Sequence, residues 1–458
     1  MKNKQVTVLL LLCLLAAIPA LAQDGTVMKL SLSQAKQLAL ENNANVVNAG
    51  LDVEAAKKKV WETTAIGLPQ LNAQSNYQNI FEVPEMSLGY YVDWTHMLDE
   101  GIPVTAQSVL ENTLKADPIA LGVQENITTN FTASQLIFSG EYLVGLQASR
   151  VYKDVTAHSL TKTRNEISET TANAYVLVLI AEESKKLMAE TLKNIEKLAE
   201  ETKAYYQEGF VEETDADQMT ITVTTIKNSL SNMERQIELA YYMLKMQLGV
   251  NFDETVELTE NLSDLLNLSD IGTVINTEFN IYSNPDYKLV ETQESLMRLD
   301  YKRTKSTTLP TVAAFYQHTH QSENPEFNFT PVNVFGISVD IPLFASGQRF
   351  VQIQQAKIAL DQATNMKNYA AQGLTLQMAE ARNELKTSFD NYENDKENMQ
   401  LSKKIYDRTV IKYQEGISSS LDLTQVHNQY LEIQGKYFQS IMNLMNAKNK
   451  VIRLAGKS

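Results

Sequence analysis

Cysteine is almost absent: the chain of 458 residues has one, Cys13, set in an apolar N-terminal run. With no second thiol there is no disulfide and no thiolate metal site, which suits an oxidising compartment. Proline and glycine are sparse, 10 and 17 residues, so long stretches carry no helix breaker. Basic residues are outnumbered 40 to 55, for a net charge of −15, and a strongly acidic chain argues against nucleic acid as a partner. Beyond residue 22 no apolar run reaches the roughly 18 residues a membrane-spanning helix needs. Catalytic signatures are missing too. His96, His158, His318, His320 and His427 are scattered; His318 and His320 share a strand face, with Glu323 as the nearest acid. There is no P-loop and no G-x-G-x-x-G, so no enzyme, nucleotide, cofactor or metal is expected.

Residues 1–22 read as a signal peptide. Lys2 and Lys4 precede an apolar run from Val6 to Ile18, and Ala20-Leu21-Ala22 forms an A-x-A cleavage site before Gln23. Its removal takes away two lysines and leaves a net charge of −17.

The rest is one unit written twice. Phe138-Ser139-Gly140 matches Ala345-Ser346-Gly347, Tyr206-Gln207-Glu208-Gly209 matches Tyr413-Gln414-Glu415-Gly416, and Leu248-Gly249 matches Ala455-Gly456, all at an offset of 207. Upstream the offset is 241, pairing Asn43 with Asn284 and Leu68-Pro69 with Leu309-Pro310, so the first copy holds 34 extra residues. The first repeat covers 23–249: helix 33–66, strands 71–81 and 123–138 around a loop 82–122, long helix 139–208 and return helix 214–248. An acidic segment of little pattern, 250–280, follows. The second repeat covers 281–458: helix 286–308, strands 311–320 and 332–344, long helix 346–415 and return helix 421–455. Pro69 and Pro310 end the first helix of each copy, because the residue before proline leaves the α region. Ala174, Val178, Ala181, Met188, Leu192, Ile195, Ala199, Thr202 and Tyr206 recur at three- and four-residue steps, an approximate heptad seam broken by Lys185. At about 1.5 Å per residue such a helix reaches about 100 Å, the length of a coiled-coil shaft.

The strands are amphipathic with period two. Leu71, Ala73, Tyr77 and Phe81 oppose Asn72, Gln74, Asn76 and Gln78; Ile127, Phe131, Ala133 and Ile137 oppose Asn126, Thr128, Asn130, Thr132 and Ser134; Phe335, Ile337, Val339, Ile341 and Leu343 oppose Gly336, Ser338 and Asp340. The third strand alternates least. A soluble sandwich buries such an apolar face, whereas an outer-membrane barrel turns it to lipid and its uncharged polar face to water; strands of about ten residues favour the barrel. Four strands do not close a membrane barrel, so each chain is expected to supply a sector. At the ends of the long helices, Gly209 and Gly416 fit left-handed caps, and Asp215 and Asp422 lie in the first turn of the return helices, where a carboxylate meets free N–H groups. In the loop 82–122, which holds Tyr90, Tyr91, Trp94, Leu98 and Leu110, a short helix is expected from Thr105 to Lys115.

This ordered set, occurring twice, resembles the TolC-type outer membrane efflux proteins over nearly all of the chain beyond the leader. The resemblance implies a mainly α protomer with a β-barrel sector, assembled as a homotrimer into a 12-stranded barrel in the outer membrane and a 12-helix periplasmic coiled-coil tunnel. It implies a passive exit channel for efflux or type I secretion, docked to a periplasmic adaptor (membrane fusion) protein and driven by an inner-membrane RND, ABC or MFS pump. The alternative is a non-transporting structural or adhesive coiled-coil envelope protein, which has no need of the uncharged polar face. Carried over by position, Tyr206, Gly209, Val211, Asp215, Tyr413, Gly416, Leu421 and Asp422 mark the periplasmic tip and the adaptor docking region. Asp422 and Gln425 mark the pore constriction, Ser139, Gly140, Ser346 and Gly347 the barrel-to-tunnel junction, and Pro69 and Pro310 the start of each hairpin. Two positions depart from the family: Ser418 replaces a basic residue that ties the inner tip to Asp215, and Gln425 replaces a second acidic ring, so a less charged gate is expected. Ser346 is expected to cap the second long helix, with Ile341 and Leu343 as the last lipid-facing strand residues.

Overall fold

A computed structural model describes residues 27–86, 89–115, 119–266, 271–324 and 328–456; the leader read at 1–22 lies outside them. The chain divides into two compact units, one of residues 1–54, 155–291 and 365–458 and one of residues 55–154 and 292–364.

The first unit is helical. Its elements are β1 (Met28–Leu30), α1 (Leu32–Asn42), the start of α2 (Ala44–Ala65), most of α5 (Gly140–Gln207), α6 (Glu213–Leu248), β8 (Val256–Leu258), α7 (Leu262–Leu265), α8 (Ile271–Ile275), the start of α9 (Pro285–Ser306), the later part of α10 (Gln348–Gln414) and α11 (Ser420–Leu454). Tyr175, Val176, Val178, Leu244, Leu248, Leu385, Ile441, Leu444 and Val451 are fully buried and form one core. Between Thr171 and Ile180, α5 is covered on nearly every side rather than along one seam. A helix apolar all round is buried all round, and here β1 adds a further layer, its Leu30 carbonyl accepting the Tyr175 hydroxyl at 3.0 Å. The heptad seam ends at Thr202, which is 2% exposed, while Tyr206 lies outside it at 40%. Lys185, the break in that seam, pairs with Glu234 of α6 at 3.0 Å.

The segment 250–280 is fastened to the start of the chain. β8 pairs in parallel with β1, Met28 opposite Val256 and Leu30 opposite Leu258. Glu260 accepts the free Leu32 N–H at 2.7 Å, a carboxylate at a helix N-terminus. Strands of three residues are too short to show alternation, which is why this ladder has no sequence signature.

The helix expected over 33–66 is two helices. Asn43 is extended, ψ 127°, and separates α1 from α2. Its Nδ2 donates to the Gln247 carbonyl at 2.8 Å and its Oδ1 accepts the Asn45 N–H at 2.9 Å. Asn284 repeats this before α9: Nδ2 donates to the Leu454 carbonyl at 2.9 Å, and Oδ1 accepts from Asp286 N at 2.8 Å and Tyr287 N at 3.3 Å. Each asparagine caps the start of one helix and the end of another. Gly249, φ +68°, closes α6 against the first of them; a Cβ there would stand 2.4 Å from the Asn42 carbonyl oxygen.

The second unit is built on a four-stranded antiparallel sheet in the order β10 (Asn333–Asp340), β9 (Thr311–Gln321), β7 (Glu125–Ser139), β2 (Gln70–Asn79). Register sets the faces. Asn72 lies opposite Thr132, Gln74 opposite Asn130 and Asn76 opposite Thr128; on the other face Leu71 meets Ala133, Ala73 meets Phe131 and Tyr77 meets Ile127. Gln317 and Thr319 join the polar face, both donating to Asn130 Oδ1, at 3.1 and 2.8 Å. Phe315 falls on that polar face because it fills the space over Gly336, where a Cβ would meet its ring at 2.6 Å. That explains the weak alternation of β9. His318 and His320 lie on the apolar face, His318 Nδ1 bonded to Asn333 Oδ1 at 2.9 Å. β10 ends at Asp340, so Ile341 and Leu343 lie beyond the ladder.

Between β2 and β7 the same unit holds β3 (Glu85–Met86), β4 (Tyr90–Val92), α3 (Trp94–Asp99), α4 (Ala106–Glu111), β5 (Thr113–Lys115) and β6 (Ile119–Ala120). β3 pairs with β6 and β4 with β5, so this loop is a small folded insertion. The helix expected from Thr105 to Lys115 stops at Glu111: Thr105 caps it through Ser108, and Thr113–Lys115 turn into strand.

Candidate functional site

The tip of the first unit is made by two helix ends of one local design. α5 ends in a Schellman motif: Gly209, φ +81°, donates to the Tyr206 carbonyl at 3.0 Å and Phe210 N to the Tyr205 carbonyl at 2.9 Å. The edge-on contact of Tyr205 and Phe210, ring centres 6.5 Å apart, is the apolar contact that accompanies this motif. α10 ends the same way, Gly416 N bonding to Tyr413 O at 3.0 Å and Ile417 N to Lys412 O at 2.8 Å.

The return helices begin one residue earlier than expected, and differently. Ser419 caps α11 in a capping box: its Oγ accepts the Asp422 N–H at 3.1 Å and Asp422 Oδ2 accepts the Ser419 N–H at 3.2 Å. Hydrogen bonds from Ser419, then from Ser418, hold the Asp422 carboxyl below its ordinary value. α6 starts after Glu212 without a side-chain cap, which leaves Asp215 available. Asp215 Oδ1 accepts the Ser420 hydroxyl, a link between the two helix-turn-helix tips. A second link joins the Tyr413 hydroxyl to Thr202 Oγ1 at 2.9 Å. Thr202 already donates to the Leu198 carbonyl at 2.7 Å, so Tyr413 is the donor.

Around these links runs a cleft of about 740 Å³, lined by Leu198, Thr202, Tyr205, Phe210, Val211, Asp215, Tyr413 and Ser420. Phe210 is 77% exposed and Leu421 66%. Asp422 and Gln425 both lie exposed on α11, one turn apart. Tyr206, Gly209 and Gly416 thus belong to the turns, and Val211, Asp215 and Tyr413 to the cleft. Sequence reasoning missed Thr202 and Ser420 as links. The S-x-x-D of Ser419 to Asp422 is a capping-box signature that locates the start of α11, and hence Ser420, without the structure.

Below the cleft, Ile195, Leu198, Met219, Ile226, Tyr406, Leu423 and Tyr430 form a second apolar cluster. His427 lies against it, its ring 5.5 Å from Tyr406, which stacks on Tyr430 at 5.3 Å. The imidazole is 1% exposed, and neither ring nitrogen has a hydrogen-bond partner among the described residues. Burial pushes it down to about 4. A base held neutral stabilises the fold above its unfolded value, near 6.5, and that contribution is lost as the pH falls from there to about 4, because the unfolded chain binds the proton first. The loss is about 3 kcal/mol. Melting temperature is therefore expected to fall across this window more steeply in the wild type than in His427→Phe; parallel curves would refute the assignment.

The junction residues lie in the second unit and are not equivalent. Ser139 is the last residue of β7 and its Oγ accepts the Tyr142 N–H at 3.2 Å, capping α5. Ser346 does not cap α10: it sits in a left-handed turn, φ 48°, followed by Gly347 at φ 82°, and the helix starts at Gln348. A run from Ile341 to Gly347 therefore separates strand from helix in the second repeat, where the first has none. Pro69 and Pro310 precede β2 and β9 by one residue.

No helix of the described residues is long and apolar enough to cross a membrane, and no group of three or more His, Cys, Asp or Glu among them is placed to hold a metal. Residues 281–457 match the family model described as outer membrane efflux protein. No curated protein matches the chain at a significant level. Among solved structures, the chain is similar to CusC, at 14% identity and TM-score 0.72, over 93% of this chain and 92% of that one. It is similar to the CmeC outer membrane channel of Campylobacter jejuni, at 16% identity and TM-score 0.70, over 93% and 85%. The outer membrane protein VceC of Vibrio cholerae is similar at 14% identity and TM-score 0.67, over 93% and 96%. At these identities the likeness is one of fold: long helices with an amphipathic antiparallel sheet. The family match lies in the second repeat, and the fold of the whole chain is the one that these outer membrane proteins share.

Proposed function

We propose that three copies of this chain form an outer-membrane exit conduit: a 12-stranded barrel continued by a 12-helix periplasmic tunnel. Its tips dock a periplasmic adaptor, and an inner-membrane pump supplies the energy. One observation carries the reading. Among the described residues the sheet has two unpaired edges, β2 and β10, an apolar face, and an opposite face of amides and hydroxyls that is nearly free of charge. An open edge in hydrocarbon costs several kcal/mol per unpaired backbone group, and a water-filled lumen is what an uncharged polar face suits. At the tip, Phe210 and Leu421 offer apolar anchors beside Glu208, Glu212, Glu213 and Asp217, a surface matched to an adaptor with basic and aliphatic residues.

Purified protein in a planar bilayer is expected to give discrete conductance steps with cation preference. No conductance from correctly folded oligomer would leave the structural or adhesive alternative. Gln425→Asp, which adds a carboxylate one turn from Asp422, is expected to raise the cation-to-anion permeability ratio, and an unchanged ratio would place the constriction elsewhere.

A further inference from the structure

The two Ser-Gly corners have the same sequence and opposite surroundings. Ser139-Gly140 is buried, and a Cβ at Gly140 would stand 2.7 Å from Leu309 Cδ1 and 3.1 Å from Ser306 Cβ. The Leu-Pro end of α9 sits on that corner. Ser346-Gly347 is exposed, and a Cβ at Gly347 would meet nothing within 4 Å.

The strands that flank the corners divide in the same way. β7 and β9, which carry the closed corner and its Leu-Pro, are paired with each other in the middle of the sheet. β10 leads into the open corner and is one free edge. β2 follows Leu68-Pro69 and is the other, with all ten residues exposed. One chain thus holds a complete joint in its centre and the two complementary halves of a second at opposite edges. A single sheet of four strands does not bring those edges together; a ring of copies joined head to tail does.

We propose that the Leu68-Pro69 end of α2 in one copy seats on the Ser346-Gly347 corner of the next, repeating between copies the joint that Leu309 and Gly140 make within one. The charged groups beside the joint fit this. Inside the chain, Arg303 Nη1 of α9 lies 3.5 Å from Glu141 Oε1 of α5. At the repeat offsets of 241 and 207, the corresponding positions are Glu62 and Gln348, with Arg349 next in line. The signs are exchanged, an acid now on α2 and a base on α10, and Glu62, 65% exposed, pairs with Lys59 alone among the described residues. Gly347 is then needed twice: for its φ of 82° and for the empty space that an incoming leucine occupies.

The proposal rests on the oligomeric reading above and is tested apart from it. Cys13 is the one native thiol, so with Cys13→Ser as background, Leu68→Cys is combined with Ser346→Cys or, separately, with Gln348→Cys in the full chain. The purified oligomer is treated with a short bis-maleimide. Covalent species of two and three copies are expected from either double variant and from neither single one. Coexpressed, differently tagged Leu68→Cys and Ser346→Cys chains are expected to cross-link only between tags. An oligomer intact by light scattering whose double variants stay at one-copy mass would overturn the joint alone. A protein monomeric by light scattering would overturn the joint together with the trimer.

Discussion

Replacing Asn284 by alanine is expected to be the most damaging single polar substitution in the helical unit. The amide is 1% exposed and serves three backbone groups, the Leu454 carbonyl and the N–H groups of Asp286 and Tyr287. Alanine leaves all three without their partner, two of them buried and the Asp286 N–H partly so, and each buried group costs about 1–3 kcal/mol. Even allowing for local relaxation, a loss of about 3 kcal/mol or more is expected, lowering the melting temperature of detergent-solubilised protein by about 5 °C or more. Asn43→Ala is expected to follow in the same direction with a smaller drop, because Asn43, 5% exposed, serves two groups, both part-buried, the Gln247 carbonyl and the Asn45 N–H. Circular dichroism at the helical minimum reads both. A melting temperature for Asn284→Ala within a degree or so of wild type, or a reversed order of the two variants, would show that water replaces the amide without loss.

The second large effect is expected at the tip. Ser420 to Asp215 and Tyr413 to Thr202 are two side-chain hydrogen bonds that tie the two helix-turn-helix tips near their ends. The first involves a carboxylate and is worth about 1.5–3 kcal/mol; the second, neutral on both sides, about 0.5–1.5. Burial, moderated by the bond to Thr202, raises the Tyr413 phenol, so it remains a donor throughout the neutral range. The double variant Ser420→Ala, Tyr413→Phe removes both while keeping ring and backbone. On the proposed channel reading, the tips then separate more readily, and about 2–4 kcal/mol per protomer corresponds to a change of about thirtyfold to about 800-fold in the closed-to-open ratio. Mean conductance in planar bilayers is the measurement, with Ser420→Ala expected to account for the larger share. Equal conductance in wild type and double variant would mean that the constriction is held by contacts between copies and not by these links.

Much of this architecture is legible in the chain before folding is considered, because its signals are local. Sparse proline and glycine leave the long helices unbroken, period-two alternation assigns the faces of β2 and β7, and Tyr-x-x-Gly places a left-handed cap wherever a helix must turn back. What alternation did not explain in β9 was a pairwise effect: Phe315 turns to the polar face because Gly336, on another strand, leaves a hole there. α11 starts one residue before the position its aspartate alone suggests, because Ser419 completes a capping box with Asp422.

The sequence by itself determined the repeat, its helices, its amphipathic strands and its turns, since each depends on residues within a few positions of one another. Only the tertiary structure decided how identical motifs are used. Ser139-Gly140 and Ser346-Gly347 read alike, yet one glycine is required by the approach of Leu309 and the other by its own backbone angle. Asn43 and Asn284 read as a matched pair, yet their work is to stop one helix and start another across some 170 to 204 residues of chain. β1 and β8, three residues each and paired 228 residues apart, have no local signal at all. A side chain's environment is set by whatever the rest of the chain brings beside it, and two copies of one motif at different places in a sheet meet different neighbours.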